Sequence, residues 1–130
     1  MSSCQNNMMG PVLPATPAIQ ALASRPEIKH AAIHKLHMLH KNSVIHHFKE
    51  HEIDQHIANW SVVQYAEEQV AYGVNYFLKV QISPGHYLHM RLHRQQHDDI
   101  YDFYSLHQTM KHNEETCIWS LEEPLVYFNS

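Results

Sequence analysis

Histidine is the residue type in this sequence with the clearest capacity for chemistry, since it accounts for 14 of the 130 residues. His30, His34 and His37 follow one another at i, i+4 and i+7, so they share one face if the segment is helical. Two helical histidines four residues apart can bind a transition-metal ion. No cysteine or carboxylate completes a recognised metal-site spacing around them. The pattern therefore favours a solvated polar face, and neither a metal nor another cofactor is predicted.

Five further histidines have the same interpretation of a solvated surface position. They are His46, His47 and His51, downstream of the first group, and His89 and His93 on the outer face of a predicted strand. Because free imidazole titrates at about pH 6.5, acid would add up to 14 positive charges to a formal net charge of −4. Such a change affects solubility and nonspecific contacts rather than the fold.

Nucleophilic catalysis is not predicted, because no Ser–His–Asp or Cys–His arrangement stands out in the sequence. Cys4 and Cys117 lie near opposite ends of the chain. In a cytosolic protein two cysteines are by default free thiols, and one long-range disulfide is the alternative. The protein is therefore not predicted to be an enzyme.

Charge and hydropathy predict a cytoplasmic protein. Residues 1–10 are polar and lack the basic and apolar regions of a signal peptide. No run reaches the roughly 18 apolar residues that a membrane span needs. Lysine and arginine are scattered, with no basic run that could line up on phosphates. We therefore expect neither a membrane nor a nucleic-acid partner.

The first 56 residues are predicted to form an arm and a helical region. Residues 1–17 contain three prolines, which predict an extended, flexible arm rather than a helix or a central strand. Thr16 and Pro17 suit an N-cap and the first helical turn. In residues 18–56 apolar side chains repeat at helical spacing. Pro26 either kinks one helix or begins the second of two, with the main helix from about Pro26 to Lys41 and a further short piece between Val44 and Gln55.

Residues 57–110 change to the alternating period of strands. Four strands are predicted, at about residues 60–65, 74–82, 88–92 and 101–108, with one apolar face each. Ser83–His86 reads as a turn, since proline sets a negative φ and glycine supplies the position after it. Short connections predict antiparallel neighbours. With a C-terminal extension at residues 111–130, the chain is predicted to be one α+β domain spanning residues 1–130.

Several motifs resemble a known family and occur in the same order along the chain. Gln69–Val80, QVAYGVNYFLKV, resembles the first hairpin loop and following strand of the cystatins, above all the single-domain, disulfide-free stefins. Gln108–Lys111, with two glutamates beyond it, is similar to a later stefin stretch. Met8–Gly10 with Pro14–Pro17 downstream is similar to the stefin N-terminus, and Tyr87–Arg91 is similar to the strand before the second binding loop.

The resemblance implies a cystatin fold, a long α-helix wrapped by a four- to five-stranded antiparallel sheet. It also implies a reversible, tight-binding inhibitor of papain-like cysteine proteases that blocks the active-site cleft without covalent chemistry. The inhibitory wedge would have three parts, the N-terminal arm, the first hairpin loop and the second hairpin loop. The protease-binding residues carried over are Gly10, then Gln69, Val70, Ala71, Tyr72 and Gly73, then Gln96, His97 and Asp98.

The chain also departs from the family pattern. Ala71 stands where valine is usual and Tyr72 where a small residue is usual, while the second loop lacks the proline of stefins and the tryptophan of secreted cystatins. The helical region carries a histidine-rich insertion. The alternative function is a non-inhibitory cystatin-fold protein with a histidine-rich metal-binding or pH-responsive surface. A monomer is expected, with a domain-swapped dimer as the alternative.

Overall fold

The computed structural model describes residues 9–43, 48–71, 73–95 and 99–128. The helices are α1 (Pro17–Ala23), α2 (Pro26–Leu39) and α3 (Glu52–Ala58); the strands are β1 (Leu13–Pro14), β2 (Ser61–Val70), β3 (Gly73–Ser83), β4 (His86–Gln95), β5 (Tyr101–Leu106), β6 (Thr109–Lys111) and β7 (Glu114–Thr116). β1 to β5 form one antiparallel sheet in sequence order, and β6 pairs with β7. The α+β class and the antiparallel sheet are confirmed. No helix in the described ranges is long and apolar enough to cross a membrane.

Proline and a hydroxyl cap set the helix boundaries. Thr16 precedes α1, and its Oγ1 accepts a hydrogen bond from the Ile19 N–H at 3.2 Å, as an N-cap does. Pro26 is the first residue of α2, so it begins the second of two helices. The third helix lies later than the predicted short piece, because α3 begins only at Glu52; residues 44–47 lie outside the described part.

The inner face of the sheet packs against α2. The helix stripe with a period near 3.6 residues meets the alternating stripes of the central strands, and both are apolar. The buried side chains are Ile28, Ala32, Ile33 and Leu36 from α2, Val74, Tyr76, Leu78, Val80 and Ile82 from β3, and Leu88, Met90 and Leu92 from β4. This main core is where the sequence periodicity placed it.

The outer face of the sheet is buried as well, which corrects the prediction of half-buried strands with a solvated polar side. Five of its central side chains are at most 9% exposed, namely Asn75, Phe77, Lys79, His89 and Arg91. The cover is Trp119–Phe128, here called the C-terminal tail. Its apolar Leu125 and Phe128 pack on Phe77 in a second hydrophobic cluster.

Backbone and cationic hydrogen bonds hold the tail in place. Trp119 exchanges two backbone hydrogen bonds with Tyr87 of β4, at 2.8 and 3.0 Å. The Lys79 ammonium group donates to the carbonyl oxygens of Leu121 and Glu123, at 2.6 and 2.5 Å. Buried lysine is tolerated where its donors are satisfied. The tail therefore supplies the acceptors that allow a lysine in the middle of a central strand.

The short β6–β7 hairpin leads into the tail. His112 and Asn113 connect its strands with φ values of 52° and 64°. Positive φ at both central residues is the geometry of the type I′ turn, which matches the twist of paired strands. The hairpin reverses the chain so that Trp119 reaches the outer face beside Tyr87.

Candidate functional site

The first predicted loop is the tip of the β2–β3 hairpin. Gln69 and Val70 end β2, Gly73 begins β3, and Val70 pairs with Gly73 across the hairpin. Ala71 is exposed in the turn, and Tyr72 lies outside the described residues. Gly73 has a φ of 138°, a backbone conformation that glycine adopts freely and other residues avoid. The tip thus depends on glycine at this position.

The N-terminal arm lies against the first hairpin. Met9 forms an antiparallel bridge with Glu68, and the Gly10 N–H donates to the Glu67 carbonyl at 2.7 Å. The arm is extended, as predicted, and its described part is tied to β2. A Cβ at Gly10 would lie 3.5 Å from the Glu67 oxygen, an ordinary contact. The fold itself therefore does not require glycine there, so any such requirement comes from a binding partner.

The second predicted loop joins β4 to β5, and its residues Gln96, His97 and Asp98 lie outside the described part of the chain. Its two ends meet where the Gln95 N–H donates to the Ile100 carbonyl at 3.0 Å. Asp99 is held by Arg25, whose guanidinium reaches both carboxylate oxygens, at 2.8 and 2.9 Å. Both of these contacts come from Nη2, while Nη1 donates to the Asp99 carbonyl oxygen at 3.1 Å. An ion pair this exposed adds little stability. No pattern in the sequence predicts this contact.

The described parts of the arm and of the first hairpin, and the flanks of the second loop, lie at the same end of the sheet. Gly73 pairs with Val70 on one side and with Gln95 on the other, so the hairpin tip and the start of the second loop are neighbours. The Met9–Glu68 bridge lies two residues below the end of β2. We call this end, comprising residues 9–10, 69–71, Gly73 and the flanks Gln95 and Ile100, the loop end.

A cavity of about 390 Å³ opens beside the first loop on the outer face. Its lining combines apolar and polar groups, namely Val70, Ala71, Asn75, Arg91, His93 and Tyr104. The Arg91 guanidinium carbon lies 4.6 Å from the centre of the Tyr104 ring, a cation–π distance. The outer face next to the loop is therefore a recess with mostly apolar walls, to which Asn75, Arg91 and His93 add polar groups.

Two strand histidines are not the solvated residues that the sequence predicted. His89 is fully buried and stacks on Trp119, with ring centroids 4.3 Å apart. Burial, together with the nearby Lys79, lowers the pKa of His89 to about 3. His93 is partly buried, and its Nδ1 hydrogen-bonds to the Asn75 Oδ1 at 2.9 Å. Both histidines act as structural side chains.

The helix histidines divide into two groups. His30 and His34 are exposed on α2, whereas His37 contacts His56 of α3, with 2.9 Å between Nε2 and Nδ1. Burial and the neighbouring His37 lower the pKa of His56 to about 4. Among the described residues, no three His, Cys, Asp or Glu side chains are grouped closely enough to hold a metal ion. His46 and His47 lie outside those residues.

Cys117 is a free thiol in the protein interior. Desolvation raises its pKa to about 12, and its backbone N–H donates to the His40 Nε2 at 3.0 Å. A thiol with this pKa stays protonated at neutral pH and is not a nucleophile. Cys4 lies outside the described residues.

The chain was compared with protein-family models and with curated protein sequences, and neither comparison gives a match. The loop end itself therefore supports the functional proposal.

Proposed function

We propose that this protein is a reversible inhibitor of papain-like cysteine proteases on a cystatin-like fold, and that its loop end enters the active-site cleft. The observation that carries the proposal is the convergence of the predicted segments. The described parts of the arm and of the first hairpin, and the flanks of the second loop, meet at one end of the sheet. The proposed partners are cathepsin-type proteases. We propose that the protein binds them as a cytoplasmic monomer and needs no cofactor.

The geometry suits insertion into a cleft. The two strands of ten and eleven residues that carry the hairpin are already paired as far as Val70 and Gly73, so little further entropy is lost in these strands when the hairpin docks. The arm at Gly10 is already extended along β2, which suits a substrate-like path through a cleft. No step requires a nucleophile, because the blockade is steric.

The arm and the first loop should supply most of the affinity. Ala71 presents less apolar surface than the valine of the family pattern. Gln96, His97 and Asp98 would have to give up water on binding, which costs free energy unless the protease supplies partners. We therefore rank the second loop last among the three parts.

Titration of papain and of a cathepsin-type protease with the purified protein tests the proposal. At nanomolar enzyme we expect activity to fall to zero as inhibitor is added, with recovery on dilution because no bond is formed. A trypsin-like serine protease, which has a different cleft, should keep its activity as the control. Full activity of both cysteine proteases at micromolar inhibitor would contradict the proposed function.

The second candidate is a metal-binding or pH-responsive protein without inhibitory activity. The contact between His37 and His56 favours it, since two imidazole nitrogens 2.9 Å apart already face each other across α2 and α3. Calorimetry with Zn²⁺ separates the two candidates. This alternative requires stoichiometric Zn²⁺ binding with a Kd below about 10 µM. His37→Ala should remove the binding. His30→Ala, at an exposed position on the same helix, should retain it. Absence of such heat would exclude the metal-binding form.

A further inference from the structure

We propose that Glu68, Asn75 and His93 form a positioning network that fixes the arm, the first hairpin and the start of the second loop relative to one another. The three side chains form one row across β2, β3 and β4. Glu68 lies directly opposite Asn75, and Asn75 directly opposite His93. The row lies on the outer face, two residues below Val70, Gly73 and Gln95. The inference deepens the proposed function and rests on it only for the consequence in binding.

The hydrogen bonds along the row have one direction. Asn75 Nδ2 donates to the Glu68 Oε1 at 2.9 Å. With its NH₂ group on Glu68, the amide turns its oxygen, which can only accept, toward His93. The Nδ1 of His93, 2.9 Å from that oxygen, must then carry the proton that it donates. In this arrangement Asn75 donates to Glu68 and accepts from His93.

Burial makes this arrangement specific. Glu68 is 7% exposed and Asn75 is 6% exposed. A buried carboxylate that loses its donor is costly, so alternative placements of the strands would leave polar groups unsatisfied. Unlike an apolar contact, the row is satisfied only in the observed register.

The row also reaches all three segments of the loop end. The Glu68 backbone pairs with Met9, next to Gly10, while its side chain binds Asn75 of the first hairpin. His93 lies two residues before Gln95, whose N–H closes the base of the second loop. A shift of one strand would therefore move two of the segments relative to the third.

Amide hydrogen exchange in Asn75→Ala tests the inference without reference to inhibition. We expect exchange of the Gly10 and Gln95 amides to accelerate about tenfold or more, because local opening of the loop end becomes easier. Exchange at the far end of the sheet, at Ile82 and Leu88, should stay unchanged. Gln81→Ala, on the same strand and face but at that far end, is the matched control. Glu68→Gln keeps an acceptor oxygen and should preserve slow exchange at Gly10.

The inhibition constant for papain is the second quantity to measure on the same variants. If the wild-type protein inhibits, Asn75→Ala should raise the inhibition constant about tenfold or more, while Gln81→Ala leaves it unchanged. If the wild-type protein does not inhibit, the proposed function fails and exchange alone decides the positioning role. Should Asn75→Ala not fold, His93→Ala removes one bond of the row from a partly exposed position. Wild-type exchange at Gly10 and Gln95 in the folded variant would overturn the inference.

Discussion

Gly73→Glu is expected to raise the inhibition constant for papain about 100-fold or more, which corresponds to about 2.7 kcal/mol of binding free energy. Two effects act together. The φ of 138° at Gly73 is strained for any residue with a Cβ. A glutamate at the hairpin tip would also place a charge where the proposed cleft leaves no room. Steady-state inhibition assays with papain measure the change.

Gly85→Glu is the matched control for this prediction. Gly85 lies in the β3–β4 turn at the opposite end of the sheet, has a φ of 77°, and has no atom within 4 Å of a Cβ built there. The Gly85→Glu substitution introduces the same residue at another positive-φ glycine. We therefore expect a loss of about 1–3 kcal/mol in the free energy of unfolding, without loss of inhibition. Gln96→Ala and His97→Ala should weaken inhibition much less than Gly73→Glu. Equal losses in the two loops would contradict the ranking.

Acidification from pH 7 to pH 4 is expected to lower the free energy of unfolding by about 3 kcal/mol through His89 alone. The folded-state pKa of about 3 lies below the ordinary value of 6.5. Below pH 6.5 His89 therefore binds a proton in the unfolded chain but stays neutral in the folded chain until the pH approaches 3. The stabilisation is complete above pH 6.5 and is lost as the pH falls toward 3. Urea unfolding followed by tryptophan fluorescence at several pH values measures it.

The surroundings of His89 explain why it resists protonation. Neither ring nitrogen has a hydrogen-bond partner within the described residues, and the ring is fully buried. Lys79, His107 and Lys111 oppose a further positive charge, while Glu123 favours it. The pKa values of His37, His56 and His107 are also lowered, chiefly by burial. These histidines add to the acid sensitivity with the same sign.

His89→Leu isolates the contribution of this residue. Leucine has a similar volume and does not titrate, so the variant should lose less stability between pH 7 and pH 4 by about 3 kcal/mol. His30→Leu, at an exposed position of α2, serves as the control and should keep the wild-type pH dependence. Parallel stability curves for His89→Leu and the wild type would contradict the assignment.

The elements with a strong period were predictable from the sequence. Pro26 at the start of α2, the alternation of Val74 to Ile82, and the turn at Gly85 each follow from a local rule of backbone or periodicity. The first hairpin was expected from the resemblance of Gln69–Val80 to a family motif, and the pairing of Val70 with Gly73 places a hairpin turn there. Local sequence patterns were sufficient to predict an element wherever the residues that determine it are close together in the sequence.

The outer face was not predictable by these rules. An alternating strand shows which side is apolar, but His89 and Lys79 look like solvent-facing residues until Trp119 and the rest of the tail are placed over them. Leu125 and Phe128 stand in a segment with no helical or strand period. The network below the loops was missed for a similar reason, since Glu68, Asn75 and His93 become neighbours only through the strand register.

The tail that covers the outer face also constrains how this sequence can change during evolution. A strand with one solvent face can accept polar replacements at every second position, but β3 has no such face between Val74 and Val80. Replacement of Lys79 would leave the carbonyl oxygens of Leu121 and Glu123 without their donor. Descendants of this gene should therefore alter β3 and the tail together or conserve both.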